Sequence, residues 1–240
     1  MSAWRWLPTW SAPALAPLVP AIAQALRIPR TSGKSGVALT FDDGPHPFGT
    51  PAVLDVLAQH GATATFFVVG EQARRRPSLL KEIAAAGHAV AIHGYRHRCQ
   101  LRLTPRQIAD DLDRAIDVVG SILGDVTRLH RPPYGVYSLP GLNELRRRDW
   151  TPMLWSRWGR DWTRHATPRS IALRCTHGLN DGDVVLLHDA DHYGAWGSWT
   201  ATVDALPRIL SFMQNAGQRT VALPKRPKSV SVGPESANDI

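Results

Sequence analysis

Cysteine is scarce: the 240 residues hold only Cys99 and Cys175. Two thiols so placed give neither a disulfide framework nor the paired spacing of a cysteine-bound metal. They read as two buried thiols, and they leave the redox compartment open. Also missing is an unbroken apolar run of about 20 residues, which argues against a membrane-spanning helix. No internal repeat is found. The arginines are dispersed and no nucleic-acid-binding motif is present, so a nucleic-acid partner is not expected.

What is present is enough apolar material, 43% of the chain, for one globular domain with a sizeable core. The formal net charge is +8. That balance suits acidic partners such as anionic wall polymers or lipid headgroups and says nothing about fold.

Residues 1–35 read as an N-terminal segment and linker, 36–223 as one compact domain and 224–240 as a mobile tail. Arg5, the apolar stretch from Ala12 to Leu26 and Ala21-Ile22-Ala23 resemble a secretory signal. Pro13, Pro17 and Pro20 interrupt it, so a short helix over Pro20 to Arg27 packing on the domain competes. Both readings stay open at this point. Trp4, Trp6 and Trp10 are expected to anchor the segment to the domain, or peripherally to a membrane surface.

Short apolar strands then alternate with amphipathic helices. Strands are expected at Val37–Phe41, Ala64–Val69, Ala89–His93, Thr127–His130, Pro152–Trp155, Asp183–His188 and Arg219–Ala222. Helices are expected at Pro51–Gln59, Pro77–Ala86, Leu139–Arg148, Pro168–Leu179 and Thr200–Gln214, the last starting late or kinking at Pro207. The clearest helix follows Thr104-Pro105 with Gln107 to complete a capping box. Ile108, Leu112, Ile116, Val119 and Leu123 mark its buried face, and Gly124 stops it. This alternation implies an α/β protein with a mainly parallel sheet, as a barrel or an open doubly wound sheet. Both gather chemistry at the C-terminal ends of strands.

The polar residues fall where that rule puts them. Asp42-Asp43 closes the first strand, and two adjacent carboxylates there call for a cation. His93 ends the third strand and His97 follows; a helical turn would put both on one face. Two imidazoles and a carboxylate suit a catalytic zinc with open positions. Arg131-Pro132-Pro133-Tyr134-Gly135 is a rigid loop able to aim an arginine and a backbone N–H. His188 ends a late strand and can serve as an acid. Together these are the parts of a metal-assisted hydrolase. Asp191-His192 invites a second metal reading, which is set aside. His46, Tyr193, Trp196 and Trp199 are read either as groove lining or as loop packing.

At these residues the chain resembles the polysaccharide deacetylases, the family 4 carbohydrate esterases. Thr40-Phe41-Asp42-Asp43-Gly44-Pro45 matches the family's first motif in full, Arg131 to Gly135 its third, and Leu186-Leu187-His188-Asp189 resembles its fifth. The second motif departs: Gly94 stands in His93-Gly94-Tyr95-Arg96-His97 where a hydroxyl residue is usual, which removes a loop-stabilising hydrogen bond. In the fourth, Trp158 stands where an Asp is usual before Asp161-Trp162, and Asp149-Trp150 is read as a decoy.

The resemblance implies a distorted (β/α) barrel of about seven parallel strands. It implies that Asp43, His93 and His97 hold a divalent metal, zinc first, with Co2+, Mn2+ and Ni2+ as alternatives. Asp42 would be the general base, oriented by Arg131. His188, held by Asp161, would protonate the leaving amine. The Tyr134 N–H would stabilise the oxyanion, and the Tyr134 and Trp162 rings would form groove walls. The implied activity is removal of N-acetyl groups from N-acetylglucosamine-containing polysaccharide, peptidoglycan or chitin-like. An acetyl-xylan esterase or another linear amide hydrolase, or a catalytically silent glycan-binding module, are the alternatives. A monomer in the cell envelope or secreted is expected, with the cytoplasm left open.

Overall fold

The computed structural model describes residues 11–224; Trp4, Trp6, Trp10 and the tail beyond residue 224 lie outside the described residues. All five residues of β1 (Ala38–Asp42) and of β2 (Ala64–Val68) are buried. Strands covered on both faces need such continuous apolar runs, and parallel sheets supply that setting. Five more follow: β3 (Ala89–Ile92), β4 (Leu129–His130), β5 (Thr151–Pro152), β6 (Arg157–Trp158) and β7 (Val184–His188). All pair in parallel, in the order β5-β4-β3-β2-β1-β7-β6.

The two edges, β5 and β6, are neighbours in sequence, separated by residues 153–156 alone. The sheet therefore curls into a distorted barrel whose seam runs between them. In the centre, Asp42 of β1 sits in register with Phe67 of β2 and His188 of β7. Two polar groups named from opposite halves of the sequence thus become neighbours at the strand ends.

Among the described residues eight α-helices cover the sheet: α1 (Pro20–Ala25), α2 (Gly49–Gln59), α3 (Gly70–Arg75), α4 (Pro77–Ala85), α5 (Pro105–Leu123), α6 (Leu139–Arg147), α7 (Pro168–Thr176) and α8 (Ser198–Asn215). α5 has the expected capping box, Thr104 with Gln107, and Gly124 at φ 80° ends it. Such a cap contributes about 1 kcal/mol. Ile108, Leu112 and Val119 are its buried stripe.

The N-terminal segment packs on the barrel. Ala16, Ala23 and Ile28 join the core. The Leu154 N–H donates to the Pro29 carbonyl at 2.9 Å, and Arg30 Nε donates to the Trp155 carbonyl at 2.8 Å. Thr31 bridges antiparallel to Asp183. The segment is a strap laid over the seam. No helix among the described residues is long and apolar enough to cross a membrane.

Several local expectations change. Arg219–Ala222 makes only an isolated bridge, Thr220 to Val37. The strand expected at Pro152–Trp155 is shorter and earlier, and β6 was not foreseen. α8 starts at Ser198 and continues through Pro207. α3 was also missed, although Glu71 in its first turn and Arg74 and Arg75 in its last complement the helix dipole. Both cysteines are free thiols; Cys175 is buried, but Cys99 is only half-buried.

Candidate active site

β1 delivers two carboxylates to the mouth of the barrel, and each is held differently. Asp42 Oδ1 accepts from Arg131 Nη1 at 2.7 Å. Arg131 is fully buried. The same Nη1 also donates to Thr40 Oγ1 at 2.9 Å, and Nη2 donates to the Leu154 carbonyl at 3.0 Å. Its guanidinium lies 4.0 Å from the Phe67 ring centroid. A charge taken out of water this completely must be paired. Here the pair fixes the Asp42 carboxylate and leaves Oδ2 directed to the side of His93, 3.8 Å away.

Asp43 turns the other way, at φ 80°. That left-handed conformation costs a non-glycine residue roughly 1 kcal/mol or more. Gly44 follows it because the Asp189 carboxylate packs where a Cβ would stand. The strained turn brings Asp43 Oδ1 to 3.4 Å from His93 Nε2 and 3.2 Å from His97 Nε2. Among the described residues, these three form one of two groups whose donor atoms lie within metal-bridging reach.

Hydrogen bonding tests whether a cation fits. His93 Nδ1 sits 2.9 Å from the Arg131 carbonyl. A carbonyl only accepts, so Nδ1 carries the proton and the Nε2 lone pair faces Asp43. Asp43 Oδ1 is buried without a hydrogen-bond donor. Burial lowers the His97 imidazole below its ordinary value, which favours the neutral ring that a metal needs. Acceptors facing acceptors in a dry site repel unless a cation lies between them. The residues fit a divalent metal.

His93 and His97 converge through a bend rather than a helical turn, with Gly94 at φ 81°. The missing hydroxyl at position 94 has a substitute that the sequence did not reveal. Asp111 on α5 accepts from the Tyr95 N–H at 2.7 Å, the Arg96 N–H at 3.3 Å and Arg98 Nη2 at 2.8 Å.

Across the mouth, β7 ends in His188. Its Nδ1 lies 2.9 Å from Asp161 Oδ1. Asp161 Oδ2 accepts from the His188 N–H at 2.7 Å and from Thr202 Oγ1 at 2.8 Å. Burial works against a charged imidazole, but Asp161, with Asp43 and Asp42 behind it, outweighs that and pushes His188 up to about 10. Asp149, by contrast, is at the surface, 3.7 Å from Arg128.

These groups share a cleft of about 230 Å³, walled by Tyr134, Trp155, Trp158, Trp162, Leu186 and Tyr193. Tyr134, at φ 63°, is 59% exposed and meets His97 edge-on. Tyr193 stacks flat on His97 at 4.0 Å between centroids. Trp155 and Trp158 were not singled out in advance as walls.

The second clustered group is His46, Asp191 and His192. His46 Nδ1 accepts from the Gly49 N–H at 2.9 Å, which leaves the proton of the neutral ring on Nε2, facing Asp191 Oδ1 at 3.2 Å. Asp191 Oδ2 accepts from the Gly197 N–H at 2.6 Å. With both His46 nitrogens spent, this is a latch that holds the loop carrying Tyr193. Trp199 packs beside it, 5.9 Å from His46, while Trp196 is 96% exposed.

Known proteins share this arrangement of sequence and fold. The family model for polysaccharide deacetylase matches residues 30–151. A chitooligosaccharide deacetylase of Bradyrhizobium sp. (strain ANU 289) is 35% identical over 201 residues, 81% of this chain and 91% of that protein. A peptidoglycan-N-acetylglucosamine deacetylase of Bacillus cereus is 31% identical, over 80% of this chain and 68% of that one. Among solved structures, a peptidoglycan N-acetylglucosamine deacetylase superposes with a TM-score of 0.76 at 28% identity, covering 93% of this chain and 96% of that chain.

Proposed function

The chain belongs to the polysaccharide deacetylases, the family 4 carbohydrate esterases, and from that premise we propose that it hydrolyses the N-acetyl amide of N-acetylglucosamine units in a cell-envelope or extracellular polysaccharide. One observation carries the reading: a buried carboxylate oxygen without a donor, facing two imidazoles beside a second carboxylate clamped by an arginine.

Asp43, His93 and His97 would hold a divalent cation, most simply zinc, which supplies Lewis-acid polarisation of the acetyl carbonyl and a more acidic water. Asp42 takes a proton from the attacking water. Arg131 keeps that carboxylate aimed, and the pair stays rigid because both are buried. The Tyr134 N–H donates to the carbonyl oxygen as charge builds on it.

An amine leaves poorly without a proton. His188 gives one from Nε2, since its Nδ1 is bonded to Asp161. With its affinity raised to about 10, the imidazole is charged across the neutral range and loaded for that step. Trp162 meets His188 edge-on and, with Tyr134, offers a face on which a sugar ring can stack.

The test is acetate release from N-acetylated peptidoglycan, chitopentaose and acetyl-xylan, with and without chelator. Release from the first two that chelator abolishes is expected. Asp42→Asn should lose about 10²–10⁴-fold in turnover with metal content unchanged. Loss of the metal in that variant would make Asp42 a ligand instead, and normal turnover would remove it from the mechanism.

A further inference from the structure

The strap lies on the barrel with one side and leaves the other bare. Pro13, Ala16, Pro17, Ala23 and Ile28 are buried beneath it. Leu15, Leu18, Val19, Pro20 and Ala21 are exposed. Leu18 is 65% exposed and Leu15 51%. These residues lie where the chain passes from a short 3-10 turn (Ala12–Leu15) into α1. A single exposed apolar side chain needs no account, but a run of them on one side of one segment marks a contact.

The charge around this side has one sign. The chain has no carboxylate before Asp42, while Arg5, Arg27, Arg30 and Lys34 precede it. Arg27 is exposed just past the end of α1. Arg146, also exposed, reaches over from α6 and donates from Nη2 to the Leu26 carbonyl at 2.6 Å. Glu144, on the same helix, is taken up by Arg147 and Arg148. Residues 1–10, which lead into the strap, add Trp4, Trp6 and Trp10. Aliphatic side chains beside cations, with tryptophan ahead of them, are the composition of a segment that lies at a lipid–water boundary.

We propose that the outer side of the strap is a peripheral docking face for an anionic lipid surface. Its apolar residues would enter the headgroup layer and its arginines would meet the negative headgroups. A second copy seated there would bring the same arginines together, so anionic lipid is the better occupant. Pro17 packs against Gly135, beside Tyr134, and docking would therefore hold that edge of the cleft close to the lipid. The attachment does not depend on the deacetylase reading; it sets where that activity would act.

The test is co-flotation of the full chain with vesicles of phosphatidylcholine alone, or mixed in equal parts with phosphatidylglycerol. Binding to the mixed vesicles is expected, with weaker binding to the neutral ones and a smaller difference in high salt. Leu15→Ser with Leu18→Ser should lower the partition coefficient about tenfold or more, the scale of withdrawing leucine side chains from a lipid boundary. Arg27→Gln should lower it about fivefold on the mixed vesicles and leave the neutral ones unchanged. Leu173→Ser, at a similarly exposed leucine on α7, is the control and should change nothing.

The paired leucine variant should keep the parent's urea midpoint, since both side chains are exposed. If it unfolds early, Leu18→Ser alone takes its place. No flotation with either vesicle, binding that the leucine substitutions leave intact, or an equal loss in Leu173→Ser overturns the docking face. A dimer in sedimentation that the leucine substitutions dissolve, without lipid binding, overturns it in favour of a second copy. Each of these outcomes leaves acetate release, and with it the deacetylase reading, untouched.

Discussion

Asp161 spends both oxygens on three fixed donors, and one of them is the ring of His188. That arrangement sets the pH range of the proposed acid. A group whose affinity is raised in the folded protein keeps its proton until pH climbs through the raised value, here about 10. Turnover should therefore hold through mildly alkaline pH and fall as pH rises through roughly that value. Asp161→Asn removes the charge that outweighs burial, so the alkaline limb should move down toward neutrality. A kcat–pH profile checks this; an unmoved limb would detach Asp161 from the acid step. Asp42, Asp43, His93, His97, Arg131 and His188 were legible as a set: each is a weak signal alone, but all fall at or just past the ends of expected strands, His97 four residues beyond His93. Asp111 was not. It reads as an ordinary polar position on an amphipathic helix, and only the path of the Gly94–Arg98 loop shows what it holds.

At the scale of elements, that support has a measurable consequence. α5 is the best-specified helix of the chain, with a buried stripe and a complete capping box. It carries Asp111 at a fixed place under the loop between His93 and His97. Outer hydrogen bonds of this kind tune metal affinity about 10–100-fold. Asp111→Ala should weaken zinc binding by that order, read by competition with a chromophoric chelator, and excess zinc should restore activity. Unchanged affinity would mean that the loop holds its shape without α5. The elements that escaped the sequence are short. β6 has two residues and α3 has six, too few to show a period. Arg219–Ala222 misled in the other direction: its apolar residues pack near the core edge, but it makes only an isolated bridge to Val37.

For the whole molecule, alternation made a mainly parallel sheet legible and left barrel or open sheet undecided; the family resemblance implied the barrel, and neither showed its seam. Parallel order is a rule of crossover connections; where the sheet fails to close depends on a short link between β5 and β6. The strap over the seam holds the backbone at Leu154 and Trp155, and the Leu154 carbonyl in turn receives Arg131. Removing residues 1–30 strips Ala16, Ala23 and Ile28 from the core and frees those partners. A loss of roughly 2–4 kcal/mol is expected from the isoleucine and the hydrogen bonds, with reduced turnover through Arg131. Urea unfolding of the shortened chain checks it; unaltered stability would make the strap dispensable.

The last described residues cross beneath the barrel, where the Val221 N–H donates to the Val37 carbonyl and the Leu223 N–H reaches Thr65. That is the end where strands begin, opposite the cleft. The strap, in contrast, brings Pro17 against Gly135, beside Tyr134 at the cleft wall. The two ends of the described chain are therefore unequal as handles. Immobilised by its tail, the molecule offers its open mouth outward to a polymer too large to diffuse; gripped by its front end, it would meet that polymer with its doorway crowded.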